Sequence, residues 1–150
     1  MEERSNLKYK QLLESINFNE IVLSEKLRKL LNEGFIENDA CIHYKNLSPN
    51  GKFSSEFVDR TGNEVFYNKI QIDDYFDLDD FNKQIEQSIL FINLLARKLK
   101  DYSKNEMFKV IFSTDYEYCN ITFFKYRVNE EYLVNDLNLY ENEAIIELSV

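Results

Sequence analysis

Tryptophan is absent from this chain of 150 residues, which contains only one proline, one histidine and three glycines. The three glycines are far apart in the sequence, so they form no glycine-rich phosphate-binding loop. So little proline and glycine is untypical of linkers and low-complexity tails. The two cysteines, Cys41 and Cys119, are too few for a disulfide scaffold and lack the close spacing of structural zinc ligands.

Basic residues are also scarce, because 18 lysines and arginines face 27 acidic residues and the net charge is -9. Nucleic acids and anionic membranes both require a basic surface, so we expect neither as a partner. The longest apolar run, residues 89–96, is far shorter than the roughly 20 residues of a transmembrane helix. The first residues lack the apolar core of a secretory signal. We therefore expect a cytoplasmic protein with buried, reduced thiols, although a Cys41–Cys119 disulfide stays open.

The length and the 44% hydrophobic content predict one globular domain over residues 1–150. Apolar spacing predicts a first helix over about residues 5–16 and a second helix capped by Ser24 and ended by Gly34. The strongest pattern predicts a helix over residues 78–102, capped by Asp77 and facing a sheet with Ile85, Ile89 and Ile92.

The strand predictions are made from β-rich runs and turn residues. They comprise a strand over residues 40–45, a hairpin of residues 53–59 and 64–72 across the loop 60–63, a hairpin of residues 107–114 and 118–128, and a last strand over residues 143–150. A turn is expected over residues 46–51, and residues 129–142 are ambiguous, with a short helix as one alternative. The pattern indicates the α+β class, with N-terminal helices and a mainly antiparallel sheet packed on one long central helix.

His43 and Cys41 are candidates for chemistry, because residues two apart on a strand share a face. With Cys119 they would make a Cys–His nucleophile or a partial zinc site. We favour the simpler interpretation, in which His43 is an ordinary strand residue and the two thiols have no functional relation to it. We therefore predict no catalytic residue, no metal and no cofactor.

Acidic residues are concentrated just before the long helix, where five aspartates occur within eight residues. Capping and solvation of the helix start explain them best, while a partner-binding patch and a cation site are the alternatives. The aromatic residues Tyr116, Tyr118, Phe123, Phe124 and Tyr126 resemble a base-stacking platform, but few cations accompany them. Core packing and cross-strand pairing are the favoured interpretation of this aromatic run.

The chain contains no lysine or arginine after Arg127, and residues 128–150 carry six acidic residues. Tyrosines and leucines are interleaved with these acids. Complementary charge orients docking and aromatic side chains anchor it, so this composition predicts a surface for a basic protein partner. Ordinary solvated acids around a last packed element are the alternative. The predicted partner-binding residues are Asp73, Asp74, Glu130, Glu131, Tyr132, Asp136, Tyr140 and Glu141.

The order of elements over about residues 50–128 resembles the small acidic immunity proteins of bacterial polymorphic toxin systems, in particular the YezG-like group. The likeness is carried by Glu64-Val65-Phe66-Tyr67, the acidic residues 73–80, the long helix 78–102 and the strands 108–114 and 121–126. The chain departs from that group in lacking a tryptophan-containing turn after the long helix. The C-terminal segment has no counterpart there.

The resemblance implies an immunity protein that binds and neutralises a cognate toxin with a basic surface, and a nuclease is one class of toxin that fits this description. An acidic protein could compete with nucleic acid for the basic cleft of such a toxin. The alternatives are another non-enzymatic inhibitor or adaptor and, less favoured, a small enzyme using Cys41 and His43. Assembly into a homo-oligomer is left open.

Overall fold

A five-stranded antiparallel sheet forms the centre of the computed structural model, which describes residues 1–18, 20–49 and 57–150. Its strands are β1 (Glu2–Ser5), β4 (Ile70–Gln71), β5 (Phe108–Thr114), β6 (Cys119–Lys125) and β7 (Ala144–Ser149), in the order β1-β7-β5-β6-β4. A separate hairpin is made of β2 (Phe35–Asn38) and β3 (Cys41–Tyr44). The strand β7 therefore lies between β1 and β5, close to the middle of the sheet.

Four α-helices accompany the sheet in the described part of the chain. They are α1 (Leu7–Glu14), α2 (Glu25–Glu33), α3 (Arg60–Tyr67) and α4 (Phe81–Tyr102). Each begins after a side chain that accepts a hydrogen bond from the backbone N–H three residues later, which satisfies an otherwise unpaired donor. These capping residues are Asn6, Ser24, Asp59 and Asp80. None of these helices has the length and apolar composition that crossing a membrane requires.

The two faces of the sheet are covered by different parts of the chain, because alternate side chains of a strand point to opposite faces. On the first face, Val110 and Phe112 of β5 pack with α1, α2 and α4 in the main core. On the second face, Ile111 of β5 belongs to a smaller cluster with residues of α3 and of the segment that precedes β7. We call residues 128–143 the C-terminal segment.

The predicted α+β class and most predicted elements are confirmed. The long helix ends at Tyr102, the second hairpin pairs β5 with β6, and β7 is the last strand. The helix α2 begins after Ser24, and Gly34 ends it with a φ of 78°, a conformation that glycine adopts without strain. Both thiols are free and buried, so Cys41 and Cys119 form no disulfide.

The predicted hairpin of residues 53–59 and 64–72 is wrong. The predicted loop 60–63 is the first turn of α3, since the Asp59 carboxylate accepts a hydrogen bond from Gly62 N at 2.7 Å. Residues 57–59 form no strand, and residues 53–56 lie outside the described residues. Only β4 lies within the second predicted strand, and it pairs with β6. The helix was missed because Thr61, Glu64 and Asn68, at helical spacing, bury polar side chains.

The N-terminal boundaries of two predicted helices also need correction. Asp80 caps α4, whereas Asp77 forms an ion pair with Lys26 at 3.5 Å. The first helix starts at Leu7 because the preceding residues pair with β7 as β1. The strand β2 was not predicted, and it pairs with the predicted β3. The ambiguous residues 129–142 contain one short 3-10 turn, Leu137–Leu139.

We expect the Ala40→Gly substitution to raise the free energy of unfolding by about 1 kcal/mol. Asp39 and Ala40 form the two-residue turn between β2 and β3, and both have positive φ, of 53° and 61°. This left-handed conformation brings Cβ close to a carbonyl oxygen, and glycine lacks Cβ. Ala40→Val should have the opposite effect, and chemical denaturation of both variants measures it. An unchanged stability of both would show that the turn is unstrained.

Candidate functional site

The polar side chains of Glu64, in α3, and Asn68, the residue that caps the end of α3, join β3 to β6. The Glu64 carboxylate accepts hydrogen bonds from Ile42 N at 2.6 Å and Lys125 N at 3.2 Å. One turn later, the Asn68 amide donates to the carbonyl oxygens of Ile42, at 2.9 Å, and Phe123, at 3.1 Å. Both side chains are fully buried. They satisfy backbone groups that would otherwise be unpaired between the two strands, so the position of α3 is tightly defined.

Arg127 connects this buried carboxylate to the start of the C-terminal segment. Its guanidinium bonds to Glu64 and donates to the Ala40 carbonyl oxygen at 2.9 Å. It also lies 3.4 Å from the Glu130 carboxylate, which accepts a hydrogen bond from the Thr61 hydroxyl at 2.7 Å. Burial raises the pKa of Glu64, while the hydrogen bonds from Arg127 and from the two backbone amides oppose that shift. The network thus anchors the segment where it leaves β6.

A second buried carboxylate anchors the middle of the segment. The Glu147 side chain of β7 pairs with Arg4 at 2.7 Å and with Lys109 at 3.3 Å. The Arg4 guanidinium also donates to the carbonyl oxygens of Val134 and Asn135, both at 3.1 Å. A guanidinium has five donors in a fixed plane, so one side chain can hold both a strand and a loop. Arg4 therefore ties the C-terminal segment to β1 and β7.

Apolar contacts and one amide complete the attachment of the segment to the sheet. Leu137 is buried against the second face, with Leu133 and Tyr140 packed around it. The amide of Asn6 donates to the carbonyl oxygens of Leu137 and Glu143, at 3.4 and 2.7 Å. The segment is therefore fixed at its start, middle and end, although almost none of it is helix or strand.

The attached segment exposes an acidic and apolar surface. Among the described residues, its outward side chains combine carboxylates with large apolar groups, and Val128 and Leu139 are 78% and 69% exposed. We call this set the C-terminal surface: Val128, Glu131, Tyr132, Val134, Asp136, Leu139 and Glu141. Exposed apolar residues grouped with charges are typical of a protein-binding surface.

Tyr132 and Leu133 line two cavities on the second face. The first, of about 200 Å³, is bordered by Glu131 and the Arg4–Glu147 pair. The other, of about 340 Å³, has Ser113 and Asn120 among its lining residues. The Tyr132 ring meets Phe124 edge-on at 5.8 Å and remains 46% exposed. Because the edge contact supports this ring, it can insert into a partner with little loss of side-chain freedom.

The structure divides the eight predicted partner-binding residues into three groups. Glu131, Tyr132, Asp136 and Glu141 are all exposed on the C-terminal segment. The side chains of Glu130 and Tyr140 take part in internal contacts, the carboxylate with Thr61 and Arg127 and the ring in the second-face cluster. Asp73 and Asp74 are exposed in the 3-10 turn Ile72–Asp74, and Asp74 lines cavities other than those beside Tyr132.

The candidate Cys–His group consists of separately bonded side chains. The His43 ring is hydrogen bonded to Asn63 at 2.9 Å, and the Cys41 thiol approaches the Arg60 carbonyl oxygen at 4.0 Å. The Cys119 thiol contacts the Thr114 hydroxyl at 3.9 Å. Burial raises the pKa of each thiol to about 11, which opposes formation of the reactive thiolate. Within the described ranges, no three His, Cys, Asp or Glu residues are grouped to hold a metal ion.

The aromatic residues of the second hairpin are split between the two faces and the exposed end of the hairpin. Phe123 is buried in the main core and Phe124 in the second-face cluster. Tyr116 and Tyr118 lie in the exposed turn, and the Lys109 ammonium lies 5.4 Å from the centre of the Tyr126 ring. A row of rings on one surface, which base stacking requires, is therefore absent from this hairpin.

Sequence reasoning missed the residues that position the C-terminal surface. Glu64 and Asn68 were assigned to a strand, and Arg127 was noticed only as the last cation. Arg4 and Asn6 drew no attention because their partners in the C-terminal segment are 130 or more residues away. The one available signal was the helical spacing of Thr61, Glu64 and Asn68, which places three polar side chains on one face of a helix.

This α+β protein, with its second sheet face covered by α3 and an acidic segment, belongs to the Uncharacterized protein PM0498 family, whose match covers residues 4–149. The matched range contains all four described helices and the whole C-terminal segment. Comparisons with curated proteins and with solved structures gave no match.

Proposed function

We propose that this protein is an immunity protein, which binds a toxin with a basic surface and blocks it through the C-terminal surface. One observation carries the proposal. The C-terminal segment contains no cation and is anchored at three places, and its acids Glu131, Asp136 and Glu141 are exposed, as are several of its apolar side chains. A surface held in its binding conformation loses little entropy when a partner docks. Charge complementarity would speed encounter, and the exposed apolar groups would slow dissociation.

A nuclease toxin is the class of partner that this surface suits best. A nuclease holds phosphate groups in a basic cleft, and an acidic protein can occupy that cleft in place of the substrate. Inhibition of this kind needs neither a cofactor nor a bond-forming step. The buried, separately bonded Cys41 and His43 support a binding role over a Cys–His enzyme.

We expect Glu131→Lys to slow association with the toxin roughly 3- to 10-fold and to reduce its salt dependence, because rim charges act mainly on encounter. Tyr132→Ala should weaken binding by about 1–2 kcal/mol, because it removes a partly buried aromatic anchor. This loss should appear mainly as faster dissociation. The measurement uses a toxin selected by its neutralisation during co-expression with this protein, with binding kinetics at low and moderate salt and growth as the readouts.

Two variants with equal chemical changes elsewhere serve as controls. Glu14→Lys reverses an exposed charge at the end of α1, and Tyr118→Ala removes a ring that is 43% exposed in the β5–β6 turn. Both should keep wild-type kinetics and protection. Wild-type rates in Glu131→Lys and Tyr132→Ala would exclude the C-terminal surface. Loss of binding in Asp73→Lys and Asp74→Lys would then assign the contact to the acidic turn before α4.

A further inference from the structure

A groove of about 460 Å³ lies between α2 and α4, on the first face of the sheet. Leu90 and Leu94 of α4 line it together with Leu23 and Leu31. Along α4 the lining extends to Asp101, which at 1.5 Å per residue is about 16 Å, or three helical turns. The groove therefore has the length and the apolar lining to hold several side chains of a protein segment.

Three cations border this groove, in contrast with the acidic character of the whole chain. Arg28, Arg97 and Lys98 are exposed at its edge, with Asp101 as the single acid. The Arg28 guanidinium donates to the Leu23 carbonyl oxygen at 3.2 Å, which holds it against the groove wall. In residues 1–18, 20–49 and 57–150, neither Arg97 nor Lys98 has an acidic partner within 4 Å. The groove thus suits a segment that combines apolar and acidic side chains.

The C-terminal surface of the same chain has this chemistry. It carries Val128, Tyr132, Val134 and Leu139 between acids, and it lies over the second face of the sheet. The groove lies on the helices that cover the first face. Complementary surfaces on opposite faces of one molecule can join only between copies, front to back.

We propose that the groove between α2 and α4 binds the C-terminal surface of a second copy of this chain. The contact is heterologous, since each copy contributes a different surface, so it produces chains or closed rings of more than two copies. The contact shares the C-terminal surface with the proposed function but requires no toxin. A bound toxin would cover that surface and would separate the copies.

Two variants, each altered at one surface, test this contact in the purified protein. Arg97→Glu with Lys98→Glu reverses the groove cations, and Glu131→Lys with Glu141→Lys reverses exposed acids of the C-terminal surface. All four side chains are exposed, and circular dichroism melting verifies that both variants fold. Sedimentation velocity from ~10 µM to ~1 mM covers the affinities expected of so small a contact.

The average mass of the wild type should rise above 18.0 kDa with concentration, while each variant alone remains a monomer. An equimolar mixture should associate again, because the intact groove of one variant meets the intact surface of the other and the two reversed surfaces are also complementary in charge. A wild type that stays monomeric over the whole range, or a groove variant that still associates, would overturn the proposal. Neither result involves the toxin, so the proposed toxin binding is tested independently of this self-association.

Discussion

The Arg127→Met substitution should lower the free energy of unfolding by about 3–5 kcal/mol at neutral pH, the usual cost of removing one partner of a buried ion pair. Glu64 is fully buried, so without Arg127 its charge would be opposed only by two backbone N–H groups. The same change frees Ala40 O and removes the contact with Glu130, so the start of the C-terminal segment should loosen. Tyrosine fluorescence or circular dichroism must follow unfolding, because the chain lacks tryptophan.

The pH dependence identifies the cause of this loss. Burial raises the pKa of Glu64 above its ordinary value of 4.5, and removal of Arg127 should raise this pKa further. The folded state then binds a proton more readily than the unfolded state, so the lost stability should return as the pH falls through the raised pKa towards 4.5. The double variant Arg127→Met with Glu64→Gln lacks this group and serves as the control. A gap between the two variants that stays constant with pH would refute the explanation.

Ile92→Asp should remove most or all of the stability of the protein. Ile92 is 1% exposed on α4, and a carboxylate placed there without a partner costs several kcal/mol, against a typical total of roughly 5–15 kcal/mol. Ile89→Asp should cost clearly less, since Ile89 is only half-buried at the edge of the main core. Denaturant titration followed by circular dichroism compares them.

The conservative variant Ile92→Val distinguishes the destabilisation caused by a buried charge from the destabilisation caused by lost side-chain volume. It should cost about 1 kcal/mol, the usual effect of deleting one buried methylene. If Ile92→Asp and Ile89→Asp lowered the stability equally, the assignment of the α4 face to the core would be wrong. Soluble expression of Ile92→Asp with a wild-type melting temperature would contradict the position of α4 on the sheet.

Apolar periodicity was sufficient to predict α4, β5, β6 and β7, because regularly spaced apolar residues supply most of the buried side chains in each of them. Buried polar residues such as Gln87 of α4 and Glu147 of β7 did not obscure this pattern. The helix α3 is different, because Glu64 and Asn68 are polar and buried while Phe66 is 63% exposed. Its β-branched and aromatic residues also favour strands locally, so the helix depends on distant partners that no local pattern shows.

The charge of the C-terminal segment was visible in the sequence, but the use of each acid was not. In the sequence, Glu130, Glu131 and Glu147 are indistinguishable contributions to the negative charge. In the structure, Glu130 and Glu147 form ion pairs with cations of the same molecule. The partners Arg4 and Lys109 lie 143 and 38 positions from Glu147. Composition therefore indicates an acidic segment, and only tertiary structure separates its anchoring acids from its exposed acids.

The position of β7 between β1 and β5 governs how the protein can be made in a cell. Synthesis proceeds at roughly 5–20 residues per second, so β1 waits on the order of 10 s for the strand that pairs with it. Between the synthesis of β5 and that of β7, β5 also has one free edge, which can pair with another chain. The acidic segment emerges just before β7, and its attachments to Arg4 and Asn6 are completed when β7 pairs with β1. A nascent chain therefore completes its C-terminal surface after the four described helices have been synthesised.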